Sequence, residues 1–281
     1  MVKVAVISGK GGTGKTTFAI NFSKFLSKIG KKVLLADLDV EEPNGNLFFN
    51  YPLKYSESYT YIPKLIKENC AYCRECAEKC MFKALAVSKG FWMLFPELCH
   101  GCRACEYVCK FEAIAEDKRC IGKIGINEVN NPSFIEGRLN VGEVLTTSLI
   151  KDVKKKIKRI EEKYEVVVMD APPGTSCPVI EVVKDVDKVI VVAEDSPFGF
   201  YDFTLIHDLL SELNKDYHLV INKFKDGKEI IPFCDKESIN VLAKIPLEKN
   251  IAYKYSKGEF ALDEYDEVFR DVYNKLIEVE N

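Results

Sequence analysis

The stretch VKVAVISGKGGTGKTTFAINFSKFLSKIG (residues 2–30) decides the fold of this chain. Its first eight residues, VKVAVISG, form an apolar, β-branched run that ends in glycine, which is typical of a buried parallel strand. After the loop GKGGTGKT (Gly9–Thr16), apolar residues recur at helical spacing until a glycine stop. These helix signals are Phe18, Phe22, Phe25, Leu26, Ile29 and the stop Gly30.

GKGGTGKT matches GxxxxGK[ST] in the strand–loop–helix context that a phosphate-binding loop requires. Glycines let the backbone wrap around phosphates, whose charge is stabilised by N–H groups and by the helix N-terminus. Lys15 should reach the β- and γ-phosphates, and Thr16 should offer its hydroxyl to Mg²⁺. The loop therefore predicts an ATP and Mg²⁺ site at Gly11, Gly12, Thr13, Gly14, Lys15, Thr16 and Thr17.

The alternation of strands and helices continues along the chain. Further strands are predicted in KKVLLADLD and, with buried-strand patterns, in YEVVVMD, KVIVVAED and YHLVINK, and INVLAKIP is predicted to be a final strand. Helical patterns lie in residues 141–164 and 200–215, and a last helix is predicted in residues 262–281. That last helix is apolar on one face and acidic on the other, which favours docking on the core over a membrane surface. The whole pattern predicts an α/β fold with a mostly parallel, doubly covered sheet.

Composition narrows the function classes. The 281 residues are 47% hydrophobic and carry a net charge of −3, from 40 basic and 43 acidic residues. This balance argues against a broad nucleic-acid surface, which needs a concentrated basic field. The start of the chain does not resemble a signal peptide, and no stretch approaches the length of a membrane span. We therefore expect a cytoplasmic protein that binds neither nucleic acid nor membrane.

Eight of the eleven cysteines lie between Cys70 and Cys109, in two copies of one pattern. CAYCRECAEKCMFKALA (residues 70–86) and CHGCRACEYVCKFEAIA (residues 99–115) both read CxxCxxCxxxC. Each continues with any residue, Phe, a charged residue, Ala, Leu or Ile, and Ala, so the segment is an internal repeat. In a cytosolic chain, such clustering indicates metal or redox chemistry in place of disulfides.

Three closely spaced cysteines wrap one [4Fe–4S] cluster, and the fourth cysteine of the run binds the other cluster. By this rule the chain holds two clusters. Zinc is the alternative, but structural zinc usually takes two CxxC-type pairs separated by a longer loop. The predicted ligands are Cys70, Cys73, Cys76 and Cys109 for one cluster, and Cys99, Cys102, Cys105 and Cys80 for the other.

The cysteine region interrupts the alternation of strands and helices. It is short of long helix or strand signals, so we read it as a small insertion in the nucleotide-binding core. The predicted organisation is an ATPase part in residues 1–60, an inserted two-cluster domain in residues 61–123, and a second ATPase part in residues 124–281.

KGGTGKT, with its extra Lys10, resembles the deviant phosphate loop of the MinD/ParA and nitrogenase iron protein group of ATPases. In that family the first lysine reaches nucleotide across a dimer interface. The resemblance implies that Lys10 acts in trans within an ATP-bound homodimer, or a heterodimer with a closely related chain. A solvated loop lysine is the alternative interpretation.

Two further stretches fit this family. ADLDVEEPN resembles its first switch, which implies that Asp39 positions the attacking water and that Asp37 lies near Mg²⁺ or the loop. VVVMDAPPG resembles its second switch, which implies that Asp170 is the Mg²⁺-linked acid and that the Gly174 amide senses the γ-phosphate. Asn222 in VINKF resembles the family's base-contacting Asn, and its alternative is a turn residue at a strand end.

The cysteine repeat resembles a bacterial two-cluster ferredoxin, which implies a small inserted α+β domain. One departure is that Met81 and Lys110 stand where that family has proline after each fourth cysteine. Cys177, seven residues beyond Asp170, resembles the cluster-bridging cysteine of the nitrogenase iron protein. This implies an additional metal or cluster between two subunits, although CPxC is replaced by CPVI; the alternative is an inert thiol beneath the switch.

The whole chain resembles MinD-superfamily ATPases with an inserted ferredoxin domain. The resemblance implies an ATP-hydrolysing, ATP-gated dimer that serves metallocluster assembly, cluster delivery or electron transfer. Its client would be a metalloprotein, a cluster scaffold or a redox partner. The alternative is a MinD/ParA-like spatial or regulatory switch with the ferredoxin domain as redox sensor. A third interpretation, an electron carrier with a vestigial ATPase, conflicts with the intact Lys10, Lys15, Thr16, Asp39 and Asp170.

Overall fold

The computed structural model describes residues 1–277, so the last four residues of the predicted final helix lie outside the described part. Two compact units divide the chain. The larger unit consists of Met1–Tyr55, Ile124–Arg138 and the described residues from Ile150 onward. The smaller unit consists of Ser56–Lys123 and Leu139–Leu149.

The strands of the described chain bear out the predicted buried runs and add others. They are β1 (Val2–Ile7), β2 (Val33–Asp37), β3 (Lys54–Leu65), β4 (Leu85–Ser88), β5 (Phe91–Leu94), β6 (Ile114–Asn127), β7 (Ser133–Leu139), β8 (Val166–Asp170), β9 (Lys188–Glu194), β10 (His218–Phe224) and β11 (Asn240–Pro246).

The helices alternate with the strands of the larger unit, and two single-turn helices lie in the smaller unit. They are α1 (Lys15–Lys28), α2 (Asn46–Phe49), α3 (Glu75–Glu78), α4 (Ala104–Tyr107), α5 (Thr146–Ile160), α6 (Cys177–Val183), α7 (Pro197–Glu212), α8 (Ile230–Lys236), α9 (Lys249–Ser256) and α10 (Leu262–Leu276).

The main sheet has the strand order β11-β10-β9-β1-β8-β2-β7-β6-β3. From β11 to β7, every neighbouring pair is parallel. Central strands such as β2 are buried throughout, which explains their continuous apolar sequences. In this register Asp37 of β2 lies opposite Asp170 of β8. The two predicted switches therefore leave the sheet side by side at its carboxyl edge.

Helix α10 docks on the core of the larger unit, as its apolar face predicts. Phe269 has its ring within 5.4–5.8 Å of the rings of Phe18, Phe22 and Phe25 on α1, measured between centroids. Tyr265 stacks on Phe269 at 4.8 Å. These aromatic pairs lie in the offset or edge-on arrangements that ring quadrupoles favour. The acidic residues of α10 remain on the other side of the helix.

Long strands run through both ends of the cysteine region, where the sequence predicted no long strand. The 12 residues of β3 extend from the larger unit into the smaller one, and the 14 residues of β6 do the same in the opposite chain direction. Their sequences are rich in charged and polar residues, and half of the residues of β3 are exposed. Because neither buries a continuous apolar face, both lack the apolar pattern that identifies the central strands.

The smaller unit repeats in structure as well as in sequence. In each copy a short 3₁₀ turn precedes the first cysteine, and a four-residue helix carries the third. Arg74 and Arg103 precede these helices in the left-handed region, with φ of 72° and 61°. Strands β4 and β5 form an antiparallel hairpin between the copies. The core is small and is built on Tyr61, Leu85, Cys105 and Ile114.

Candidate functional site

A cavity of about 440 Å³ opens at the phosphate loop, in the size range of small-molecule sites. Gly14, at φ +96°, begins helix α1, and a side chain there would collide with the Asn222 amide. Only glycine tolerates both the conformation and the contact. The predicted nucleotide-site residues that line the cavity are Lys10, Gly11, Gly12, Thr13, Gly14, Lys15, Thr16, Thr17, Asp39 and Asn222.

Asp170 joins the two residues that the motif assigns to phosphate and Mg²⁺. The ammonium of Lys15 lies 2.6 Å from Asp170 Oδ1, and both side chains are almost completely buried. The Thr16 hydroxyl donates to Asp170 Oδ2 at 2.7 Å. A buried ammonium needs a countercharge, and Asp170 supplies it. The predicted acid of the second switch therefore contacts both predicted ligand groups.

The two aspartates of the first switch have different roles. Asp37 is buried, and its carboxylate accepts backbone N–H bonds from Asp39, Asn44 and Gly45 at 2.8–3.2 Å. Burial, followed by the charge of Asp170, raises the Asp37 pKa to about 7. Asp39 lines the cavity, and burial raises its pKa to about 6 although Lys15 opposes the rise. Asp37 thus shapes the loop, and Asp39 faces the space where phosphate would bind.

Lys10 lies within the phosphate loop, and Gly174 lies in the predicted second switch, four residues after the end of β8. The Lys10 ammonium is 3.7 Å from the carboxylate of Asp202 on α7, and both side chains are partly exposed. The Gly174 amide donates to the Ser8 carbonyl at 2.9 Å, with Gly174 at φ +100°. In the single chain the Gly174 amide is therefore occupied by Ser8. The in-trans role of Lys10 and the phosphate-sensing role of Gly174 remain predictions.

Asn222 contacts the loop directly, since its amide donates to the Thr13 carbonyl at 2.6 Å. Sequence reasoning missed its neighbour Lys223, whose ammonium bonds the Gly12 carbonyl and Glu194, both at 3.0 Å. The signal was available, because Lys223 follows Asn222 at the carboxyl end of a predicted strand. A further unpredicted set closes the far side of the cavity: Pro246, Leu247, Glu248, Ile251, Ala252, Tyr255 and Tyr265.

The eight cysteines of the repeat surround two separate cavities of the smaller unit, four around each. The first cysteine cavity is lined by Cys70, Cys73, Cys76 and Cys109. The second cysteine cavity is lined by Cys80, Cys99, Cys102 and Cys105. The grouping is the crossed one that the sequence predicts, with each fourth cysteine in the other copy's cavity.

The fourth cysteine of each copy accepts an equivalent hydrogen bond from a backbone N–H group. The Ala84 amide points at Cys80 Sγ and the Ala113 amide at Cys109 Sγ, both at 3.3 Å. All eleven cysteines are free thiols. Within residues 1–277, no three His, Cys, Asp or Glu side chains come together as a site for a metal ion. The cysteines thus enclose two spaces without converging on one point.

Cys177 is exposed and is the first residue of α6, immediately after the second switch. Among the described residues its thiol has no hydrogen-bond partner, so it neither confirms nor contradicts the predicted intersubunit site. Cys120 and Cys234, the remaining thiols, lie half-buried and buried respectively. None of the helices described in residues 1–277 has the length and apolar character to cross a membrane.

Comparisons with known proteins agree with this site. The model of the CobQ/CobB/MinD/ParA nucleotide binding domain matches residues 4–262. An uncharacterised protein of Methanocaldococcus jannaschii is 36% identical over 99% of this chain and 97% of its own length. The septum site-determining protein MinD of Pyrococcus horikoshii, solved with Mg-ADP, has the same fold, with a TM-score of 0.59 and 16% identity over 100% of this chain and 97% of that one.

A shorter similarity links the chain to an iron–sulfur protein. The iron–sulfur cluster carrier protein of Pyrococcus abyssi is 52% identical over 42 residues, which are 15% of this chain and 14% of that protein.

Proposed function

The chain belongs to the CobQ/CobB/MinD/ParA family of nucleotide-binding proteins, and from this premise we propose that it is an ATP-hydrolysing iron–sulfur protein. It binds ATP with Mg²⁺ at the phosphate loop and two [4Fe–4S] clusters in the smaller unit. ATP closes a dimer, and the protein serves metallocluster assembly, cluster delivery or electron transfer to a metalloprotein, cluster scaffold or redox client.

The nucleotide half of the proposal rests on the residues around the 440 Å³ cavity. Lys15 neutralises the β- and γ-phosphates, Thr16 and Asp170 hold Mg²⁺ directly or through water, and Asp39 orients the attacking water. Asn222 and the apolar side formed by Leu247, Ile251 and Tyr255 offer a surface for the base. Phosphoryl transfer needs mainly positioning and charge neutralisation, which these groups supply.

The iron–sulfur half rests on one observation: each of two cavities is lined by four cysteines, in the crossed pattern of a two-cluster repeat. A [4Fe–4S] cluster takes four thiolates, one for each iron, so its ligands surround a space without converging on one point. The N–H groups aimed at Cys80 and Cys109 suit thiolate ligands, whose negative charge they stabilise. When bound, such clusters supply one-electron chemistry.

Two metal readouts test the proposal on the full chain. Purified anaerobically, the protein should contain about eight irons and eight sulfides, four of each per cluster. A Cys102→Ser variant should lose the second cluster, whereas the matched Cys120→Ser change outside the repeat should leave the iron content unchanged.

The nucleotide readout is separate. Lys15→Ala should abolish ATP turnover and keep the full iron content. Iron-free protein that still hydrolyses ATP would reject the iron–sulfur half and leave a nucleotide-dependent switch of the MinD/ParA kind. A Lys15→Ala variant with normal turnover would reject the nucleotide half.

A further inference from the structure

Among the described residues, each cysteine cavity has one aromatic side chain whose polar atom is buried and has no hydrogen-bond partner. The Tyr61 hydroxyl is such a group, and Tyr61 lines the second cysteine cavity. The indole N–H of Trp92 is the other, and Trp92 lines the first cysteine cavity. Leaving a polar group buried and unpaired costs free energy, so a donor in this position indicates an absent acceptor.

Like the fourth cysteines, each of the two aromatic residues lies near one copy of the repeat in sequence but lines the cavity of the other copy. Tyr61 lies on β3, before the first copy of the repeat, yet it lines the cavity of the second copy. Trp92 lies on β5, before the second copy, yet it lines the cavity of the first. The two copies of the repeat therefore have the same arrangement. Because an unpaired buried donor occurs at the equivalent place in both copies, we attribute it to a shared function of the two cavities.

Each donor faces the third cysteine of the copy that it serves. Tyr61 packs in one core cluster with Cys105, and Trp92 packs at the same cluster beside Cys76. Tyr61 and Cys105 both line the second cysteine cavity, and Trp92 and Cys76 both line the first. Cys76 and Cys105 occupy equivalent positions in the two copies.

Glu106 is a second acceptor within reach of Tyr61. One of its carboxylate oxygens is also buried without a partner, while the Arg103 guanidinium lies 3.6 Å from that carboxylate and 4.5 Å from the centre of the Tyr61 ring. Arg103 thus offers Glu106 an ionic partner of its own. Among the residues that line the first cysteine cavity, Glu75 is the one carboxylate that could accept a hydrogen bond from Trp92. Its side chain is exposed and is paired with Lys110.

We propose that the Tyr61 hydroxyl and the Trp92 indole N–H donate hydrogen bonds to the sulfur atoms of Cys105 and Cys76 in the iron-loaded protein, and that each bond raises the reduction potential of one cluster. This inference rests on the proposed function, because it requires both clusters. Added electrons make the thiolate sulfurs more negative, so a hydrogen-bond donor stabilises the reduced form more than the oxidised form. Tyr61 raises the reduction potential of the second cluster, and Trp92 raises that of the first.

The test uses the full chain with clusters reconstituted anaerobically, titrated with dithionite and followed by electron paramagnetic resonance. Tyr61→Phe should lower one of the two midpoint potentials, and Trp92→Phe should lower the other. Each shift should correspond to a change of about threefold to tenfold in the ratio of reduced to oxidised cluster, at most about 59 mV for a one-electron couple. Tyr59→Phe is the matched control, because that hydroxyl lies on the same strand but is paired with Glu57 at the surface.

A second readout tests the hydrogen bond itself. The electron–nuclear double resonance spectrum of the wild-type protein should contain a strongly coupled proton signal that disappears after exchange into D₂O. The spectrum of Tyr61→Phe should lack this signal for one cluster even before exchange. Wild-type protein without iron overturns the proposed function. Normal iron content with unshifted potentials in both variants overturns this inference alone. Reduced iron content in the variants also overturns it, since it would assign the two rings to packing.

Discussion

Asp170 is the residue on which nucleotide binding must act first. Its carboxylate already bonds Lys15 and Thr16, the two side chains that phosphate and Mg²⁺ require. If phosphate and Mg²⁺ bind as proposed, phosphate would become the counterion of Lys15, and Thr16 and Asp170 would hold the metal. Because Asp170 is the last residue of β8, a change in its contacts would reach the start of the predicted second switch.

Asp39 should give ATP hydrolysis an acidic limb. Its pKa is raised to about 6, so the carboxylate is protonated at pH 5 and ionised at pH 8. Only the ionised form can accept a hydrogen bond from the attacking water, so kcat/KM should rise with pH through about 6 and then level off. Asp39→Asn should lower turnover by about 10²- to 10⁴-fold, whereas Glu41→Gln in the same loop should not. A steady-state pH profile of all three proteins checks this, and an unchanged limb in Asp39→Asn would contradict it.

Asp202 should restrain Lys10 in the free chain. If Lys10 reaches nucleotide in a partner subunit, the 3.7 Å ion pair with Asp202 must open first. A partly exposed pair contributes no more than about 1 kcal/mol, and a homodimer opens two such pairs, so Asp202→Asn should tighten ATP-dependent association by less than about 30-fold. Sedimentation with a non-hydrolysable ATP analogue measures this, with Asp208→Asn on the same helix as control. Weaker association in Asp202→Asn would show that Asp202 belongs to the interface itself.

At the scale of elements, α10 and α1 hold the larger unit together through their aromatic rings. Phe269 is fully buried, and replacing it with Ala should cost about 3–5 kcal/mol of unfolding free energy. Phe198→Ala on α7 is the control, because that ring is 79% exposed and its loss should change stability by less than about 0.5 kcal/mol. Denaturant unfolding of both variants gives the difference. If Phe269→Ala lowered the free energy of unfolding as little as Phe198→Ala does, α10 would not stabilise the core.

The elements that the sequence predicted are those with a strong local pattern. β1, β2, β8 and β9 are apolar because both faces of each strand are buried, and α10 is amphipathic because only one face is. Strands β3 and β6 could not be found this way, since they bury scattered positions among charged residues. β3 and β6 are neighbours in the sheet although the whole cysteine region separates them in sequence, so no local window contains the reason for this pairing.

The same distinction holds for the candidate site. Lys15 and the cysteine repeat were predictable because phosphate and metal sites need fixed residue types at fixed spacing. Asp202 was missed because its contact with Lys10 joins residues far apart in sequence, whereas Lys223 could have been inferred from its place beside Asn222 at a strand end. Tyr61 and Trp92 were missed for a similar reason, since each lies before one copy of the repeat but lines the cavity of the other copy.

At the scale of the molecule, the two units have very different means of staying folded. The larger unit buries a continuous apolar core between its sheet and helices. In the smaller unit, the packed cluster around Tyr61 has four buried members, one of which is a proposed cluster ligand, Cys105. A cluster of that size supplies little hydrophobic stabilisation. If metal clusters bind there as proposed, their binding free energy would also contribute to the folding of the smaller unit.

Removing iron should therefore loosen one unit and spare the other. Anaerobic chelation should speed amide hydrogen exchange across residues 56–123, because the cysteines lose the clusters that join the two copies of the repeat. The larger unit should keep its exchange pattern and its ATP binding, which depends on Lys15 and on no cysteine of the repeat. Lys15→Ala gives the reciprocal control: it should remove the protection that ATP confers on the larger unit, while iron still protects residues 56–123. Equal loosening of both units on chelation would mean that they fold as one cooperative body, and the clusters would then stabilise the nucleotide site as well as their own surroundings.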